Sequence, residues 1–138
     1  MENTPEKQLK NLLIVEDDTF MSGLLERKFS KDEYKIFVAP DTKQAEEALG
    51  REKIDLMILD VILPGTDGIT FLGQVRERPE LKTLPIIVAS NLGQPEEIER
   101  GMQAGATGYI VKANTTPGEI VKKVEEILAG GQAAPITN

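Results

Sequence analysis

The sequence predicts an α/β fold in which a parallel, five-stranded sheet is covered by helices on both faces. Three observations predict it. Short runs rich in Val, Ile and Leu alternate with amphipathic stretches of helical period along the chain. The spacing between runs accommodates one helix each time, as crossovers between parallel strands require. Two of the runs, Leu12–Val15 and Ile86–Ala89, are apolar throughout, as strands buried on both sides are.

Asn11–Val15 reads as the first strand. Asp18 then caps a helix to about Ser30, with Phe20, Met21, Leu24, Leu25 and Phe29 as its apolar stripe. Tyr34–Ala39 is the second strand. Asp41 with Gln44 has the capping-box pattern and opens a helix with Ala45, Ala48 and Leu49 on one side. Ile54–Asp60 is the third strand. The loop Leu63–Gly68 follows, and its Asp67-Gly68 pair is a turn and helix-start signal. Ile69, Leu72 and Val75 are spaced for a helix ending before Pro79. Leu84–Ser90 is the fourth strand. Pro95 suits the first turn of a helix running to about Ala104 and stopped by Gly105. Gly108–Lys112 is the fifth strand. Thr116-Pro117-Gly118-Glu119 combines a hydroxyl cap, Pro at the first position and Glu at the third. Ile120, Val124, Ile127 and Leu128 then face the core, and the alternating charges of Glu119–Glu126 read as a solvated face.

At 138 residues the chain is one domain's length, without an internal repeat. It has no Cys and no His, which excludes disulfides, thiolate or imidazole metal sites and a Ser–His–Asp triad. Sixteen basic against 23 acidic residues give a net charge of −7, which disfavours direct nucleic-acid binding. The apolar runs are too short to span a membrane, and Met1–Lys10 is polar, unlike a secretory signal. A cytoplasmic location without membrane association is expected.

Ligands bind such sheets beyond the carboxyl ends of the strands. The polar residues collect there: Glu16, Asp17 and Asp18 after strand one, Asp60 at the end of strand three, Ser90 of strand four and Lys112 of strand five. Two carboxylates about 4 Å apart repel by roughly 4 kcal/mol at an effective dielectric near 20. The cluster therefore calls for a cation. All-oxygen ligands indicate a hard ion, Mg²⁺ in preference to zinc. Lys112 and Ser90 add an ammonium and a hydroxyl, which suits phosphoryl transfer to a nucleophilic Asp.

Taken in order, Leu12–Asp18, Asp55–Asp60, Pro64, Asp67-Gly68, Val88-Ala89-Ser90 and Gly105–Lys112 resemble the receiver domain of two-component response regulators. The resemblance covers about Lys10–Ala129 and implies a stand-alone, chemotaxis-regulator-like protein. It implies a flavodoxin-like, doubly wound sheet of order 2-1-3-4-5 with five helices. It divides the chain into a flexible segment 1–9, a receiver domain 10–130 and a flexible tail 131–138. No output domain is expected after Ala129. Asp60 would accept a phosphoryl group from the phosphohistidine of a sensor histidine kinase or phosphotransfer protein. Mg²⁺ would be held by Asp17 directly, by Glu16 partly through water, by Asp60 and by the Ile62 carbonyl. Ser90 would be the switch hydroxyl, Lys112 the phosphate-pairing lysine and Tyr109 the aromatic that turns inward. The fourth helix, fifth strand and fifth helix would present the face read by a downstream protein that the sequence does not name. A phosphorylation-dependent homodimer is left open. The chain would be a switch and not an enzyme, beyond assisting its own phosphorylation and slow dephosphorylation.

Two residues depart from the family pattern: Ala113 stands where Pro usually follows the lysine, and Asn91 where a small residue usually follows the switch hydroxyl. A cis bond before Ala113 costs about 2.5–4 kcal/mol, so a trans bond is expected. Three other functions are disfavoured. A pseudo-receiver is disfavoured by the complete set Glu16, Asp17, Asp60, Ser90 and Lys112. A Mg²⁺-dependent phosphatase is disfavoured by Ile62, where aspartyl phosphatases carry a second acid. Flavin binding is disfavoured by Glu16-Asp17-Asp18 where a phosphate loop would lie.

Overall fold

The structure, a computed structural model, describes residues 8–130. The expected tail 131–138 and residues 1–7 of the expected N-terminal segment lie outside the described residues. Five strands form one parallel sheet: β1 (Lys10–Val15), β2 (Tyr34–Ala39), β3 (Leu56–Leu59), β4 (Ile86–Ser90) and β5 (Gly108–Val111). Five helices alternate with them: α1 (Thr19–Lys28), α2 (Thr42–Arg51), α3 (Gly68–Glu77), α4 (Pro95–Ala104) and α5 (Pro117–Leu128). The strand order is β2-β1-β3-β4-β5, the flavodoxin-like order expected.

The two-residue period of the strands sorts their side chains into two cores. Leu13, Val15, Met57, Leu59, Ile86, Val88, Tyr109 and Val111 pack with Ala45 and Leu49 of α2, Leu72 and Val75 of α3, and Ile98 of α4. Leu12, Ile14, Leu56, Ile58, Ile87, Ala89 and Ile110 meet Leu25 and Phe29 on the α1 side and Ile120, Val124 and Ile127 of α5. Each buried Val, Leu, Ile, Met or Phe among them contributes about 1.5–3 kcal/mol by leaving water. With both faces apolar, register is held by the pairing of β1 with β2 and β3, in which Val15 lies beside Ala39 and Leu59. The expected caps form: Asp18 accepts from the Phe20 and Met21 amides, Asp67 from Ile69, and Thr116 exchanges bonds with Glu119 in a full capping box. At α2 the box is half made. Asp41 accepts from the Gln44 amide, but the Gln44 side chain donates to the Asp41 carboxylate instead of bonding its backbone N–H.

The structure differs from the sequence reading at several places. The loop after β3 is a small hairpin, Ile62–Leu63 pairing antiparallel with Thr66–Asp67. Pro64-Gly65 occupies its tip with Gly65 at φ 75°, the residue pair a type II turn favours at its centre. Phe20 is 69% exposed. At 100° per residue it points about 140° away from Leu25, off the buried face of α1. Lys123 of α5 is buried and not solvated, because it lies between Ile120 and Ile127 on the core side of the helix. Every peptide bond among the described residues is trans, including Lys112–Ala113, as expected.

Gly68 fixes the approach of α3 to the end of β3. Its amide donates to the Val61 carbonyl at 2.7 Å. A Cβ there would lie 2.5 Å from the Asp60 carbonyl oxygen and 2.6 Å from Val61 Cα, both rigid backbone atoms. Gly50 in α2 has open space around its Cβ position. Gly68→Ala should therefore cost about 1–3 kcal/mol by overpacking, whereas Gly50→Ala should stabilise by about 0.5–1 kcal/mol through helix propensity. Urea denaturation of the two variants checks the opposite signs.

Candidate functional site

The sheet order reverses between β1 and β3, since β1 continues to β2 on one side and meets β3 on the other. That is where an open α/β sheet leaves a crevice beyond its strand ends. The backbone carries the ladder one residue further into it. The Glu16 amide donates to Ala39 of β2 and the Asp60 amide to Val15 of β1, each at 3.0 Å. The two acids are thus fixed by main-chain bonds at adjacent strand ends.

Glu16, Asp17 and Asp60 bring carboxylate oxygens within 4.8 Å of one another. Glu16 and Asp60 are buried, and Asp17 is exposed. Lys112, following β5, reaches back across the sheet. Its ammonium donates to Glu16 Oε1 and, at 3.1 Å, to Asp60 Oδ2, with only 10% of the side chain exposed. The other carboxylate oxygens are also engaged: Glu16 Oε2 accepts from the Asp18 amide and Asp60 Oδ1 from the Ile62 amide, both at 3.2 Å. A cavity of about 490 Å³ opens over the cluster, lined by these residues together with Met21, Ile62 and Asn91.

Burial, opposed by the Lys112 bond, raises the Glu16 pKa above its ordinary value. Burial also works against the Lys112 charge. The bond to Glu16 and the charges of Asp60 and Glu16 outweigh it, so the Lys112 pKa lies above its ordinary value. One ammonium among three acids leaves the cluster short of positive charge. Its donors are carboxylate oxygens, the set that a hard divalent cation takes.

Ser90 is fully buried, and its hydroxyl accepts from the Leu92 amide at 3.1 Å. It does not line the acidic cavity, where the neighbouring Asn91 stands instead. Tyr109 lies inside, 1% exposed, and its phenol donates to the Leu92 carbonyl at 2.6 Å. Burial raises its pKa, the Ser90 hydroxyl opposes the rise, and the charges of Glu97 and Asp60 add to it. Ile62 is 60% exposed at the rim of the cavity. The structure therefore clusters Glu16, Asp17 and Asp60, with Lys112 bonded to Glu16 and Asp60, and gathers Ser90 and Tyr109 around Leu92. Sequence reasoning missed Met21 as a cavity wall and assigned no role to the Leu92 backbone. Main-chain groups carry no side-chain signal by which they could be found.

The model of the response regulator receiver domain matches residues 12–125. The chain belongs to this family. It is 35% identical over 120 residues to the phosphate regulon transcriptional regulatory protein PhoB of Rhizobium meliloti (strain 1021), covering 87% of this chain and 52% of PhoB. The chain thus spans about half the length of that relative. A crystal structure from Chloroflexus aurantiacus J-10-fl, assigned as a response regulator, superposes with a TM-score of 0.81 at 35% identity, covering 88% of this chain and 99% of that one. The phosphorylated cyanobacterial phytochrome response regulator RcpA superposes with a TM-score of 0.78 at 25% identity, covering 88% and 95%.

Lys112 contributes a pH dependence at the alkaline end. Its folded pKa is raised above the ordinary 10.5. Its contribution to stability is therefore complete below that value and lost as pH climbs through the higher folded value. Lys112→Met should cost about 3 kcal/mol near neutral pH, because two buried carboxylates lose their partner. The gap between wild type and variant should narrow above pH 10.5. Urea midpoints with a chelator present, measured along a pH series, check this.

Proposed function

We propose that this receiver is a phosphorylation-activated switch of a two-component system. Asp60 accepts the phosphoryl group of a histidine kinase or phosphotransfer protein, and the face formed by α4, β5 and α5 carries the signal. The observation that supports this reading is the carboxylate cluster shared by Asp60, Glu16 and Asp17 with Lys112 bonded across it. The phosphorylated state of the similar RcpA agrees with it. The division into segments 1–9, 10–130 and 131–138 belongs to the same reading, as does a cytoplasmic location. Among the described residues no helix is long and apolar enough to cross a membrane.

Asp60 attacks through a carboxylate oxygen. The new bond joins that oxygen to phosphorus, and the P–N bond of the donor phosphohistidine breaks with its electron pair going to the imidazole. Lys112 then exchanges part of its contact with the free carboxylates for the phosphoryl oxygens, a stronger charge-assisted pairing. When bound, Mg²⁺ would supply positive charge to the oxygens of the transferring group. Asp17, exposed and outside the Lys112 bonds, would hold it directly, with Asp60 and the Ile62 carbonyl. Glu16, tied to Lys112 and the Asp18 amide, would act on it partly through water. Ser90 is the hydroxyl drawn toward the phosphoryl group, and Tyr109 the aromatic coupled to it. The exposed aliphatic Ile62 offers no hydrogen bond to an attacking water, which favours a slow loss of the group.

Incubation with acetyl phosphate and Mg²⁺ should add one phosphoryl mass to the wild-type chain and none to Asp60→Asn, as read by intact mass spectrometry. Equal masses for the two would identify a pseudo-receiver or another acceptor. Mg²⁺ affinity by calorimetry should fall more in Asp17→Ala than in Glu16→Ala. An outer-shell partner of a metal typically changes affinity about 10–100-fold, so Glu16→Ala should lie toward the low end of that span. The reverse order would exchange the roles of the two acids.

A further inference from the structure

Gly101 lies in the interior of α4, a position at which glycine weakens a helix. It faces the Tyr109 ring. A Cβ built on it would lie 3.0 Å from Tyr109 Cδ2 and 3.1 Å from Cε2, with Ile69 Cδ1 of α3 at 3.7 Å. The first two distances are closer than side chains ordinarily pack. The missing methyl is therefore the space in which the ring sits. At its other end Tyr109 bonds the Leu92 carbonyl, while the Leu92 amide bonds Ser90.

We infer that Gly101 is a positioning residue of the switch. By lacking a side chain it admits the Tyr109 ring beneath α4, and so sets the inward arrangement of the α4–β5 face. A methyl group at this site biases the ring outward. The functional consequence rests on the switch reading proposed above, whereas the positioning of the ring does not.

The test uses helix glycines as internal controls. Gly73 of α3 has nothing within 4 Å of its Cβ position, so Gly73→Ala should raise the melting temperature. Gly101→Ala should fail to do so. The chain has two Tyr and no Trp, so Tyr34→Phe leaves Tyr109 as the single strong fluorophore. In that background acrylamide should quench Tyr109 weakly, and at least twofold more strongly after Gly101→Ala. Unchanged quenching overturns the inference whatever the melting temperature does, because a purely structural glycine would leave the ring where it is. If Gly101→Ala does not fold, the Tyr109→Leu background decides. There the ring is gone, and Gly101→Ala should raise the melting temperature as Gly73→Ala does; a fall overturns the inference. Exposure to acetyl phosphate and Mg²⁺ separates the two readings. An absent mass gain would remove the switch and leave the quenching result standing.

Discussion

The ion cluster at the ends of β1 and β3 is the constraint around which this receiver is arranged. Two buried carboxylates and one half-buried ammonium are costly to remove from water, by up to several kcal/mol per ion even after relaxation. They persist because the sheet leaves them no alternative. Main-chain bonds hold Glu16 and Asp60 on adjacent strands, and Lys112 enters from the far edge of the sheet after β5. The sheet can bear this cost because it is covered on both faces and contributes the stabilisation of two apolar cores. A polar end on an otherwise apolar sheet is thus one design: the strands supply rigidity, and the residues following them supply charge that remains incompletely balanced.

Most of this arrangement is legible in the sequence, for physical reasons that differ by element. β2 and α4 were readable to the residue, because Tyr34–Ala39 is bounded by polar segments and Pro95 and Gly105 bracket the helix. Glu16, Asp17, Asp60 and Lys112 could be found because charged residues immediately following apolar strands stand out against their surroundings. The failures share another character. Hydrophobicity assigns Phe20 to the buried face of α1, although its angle puts it outside. Lys123 was placed outside by its charge, although its angle puts it inside. In both, phase on the helix outweighs residue type. The hairpin after β3 was missed because two-residue strands are too short to show a period. Gly101 could have been noticed as a glycine in an amphipathic helix, but only the fold brings Tyr109 against it.

Ser90 of β4 and Tyr109 of β5 meet at the backbone of a single residue whose side chain is not the relevant part. Leu92 offers its amide to Ser90 and its carbonyl to Tyr109. In the proposed switch, drawing the Ser90 hydroxyl toward a phosphoryl group on Asp60 removes the acceptor from that amide. The segment from Leu92 to α4 must then find new bonds, and α4 is suited to respond. Its first residue is Pro95, and its cap, Gln94, makes no side-chain bond, whereas Asp18, Asp41, Asp67 and Thr116 hold the other four helices. A side-chain cap contributes about 0.5–2 kcal/mol. Its absence leaves the start of α4 without a bond of the kind that holds the other four helices. Tyr109 opposes that freedom from below, anchored to the same residue through its carbonyl. The peptide groups flanking Leu92 are therefore held from the site on one side and from the face on the other. A local electrostatic event of this kind shifts a surface when the element between them has two arrangements close in energy.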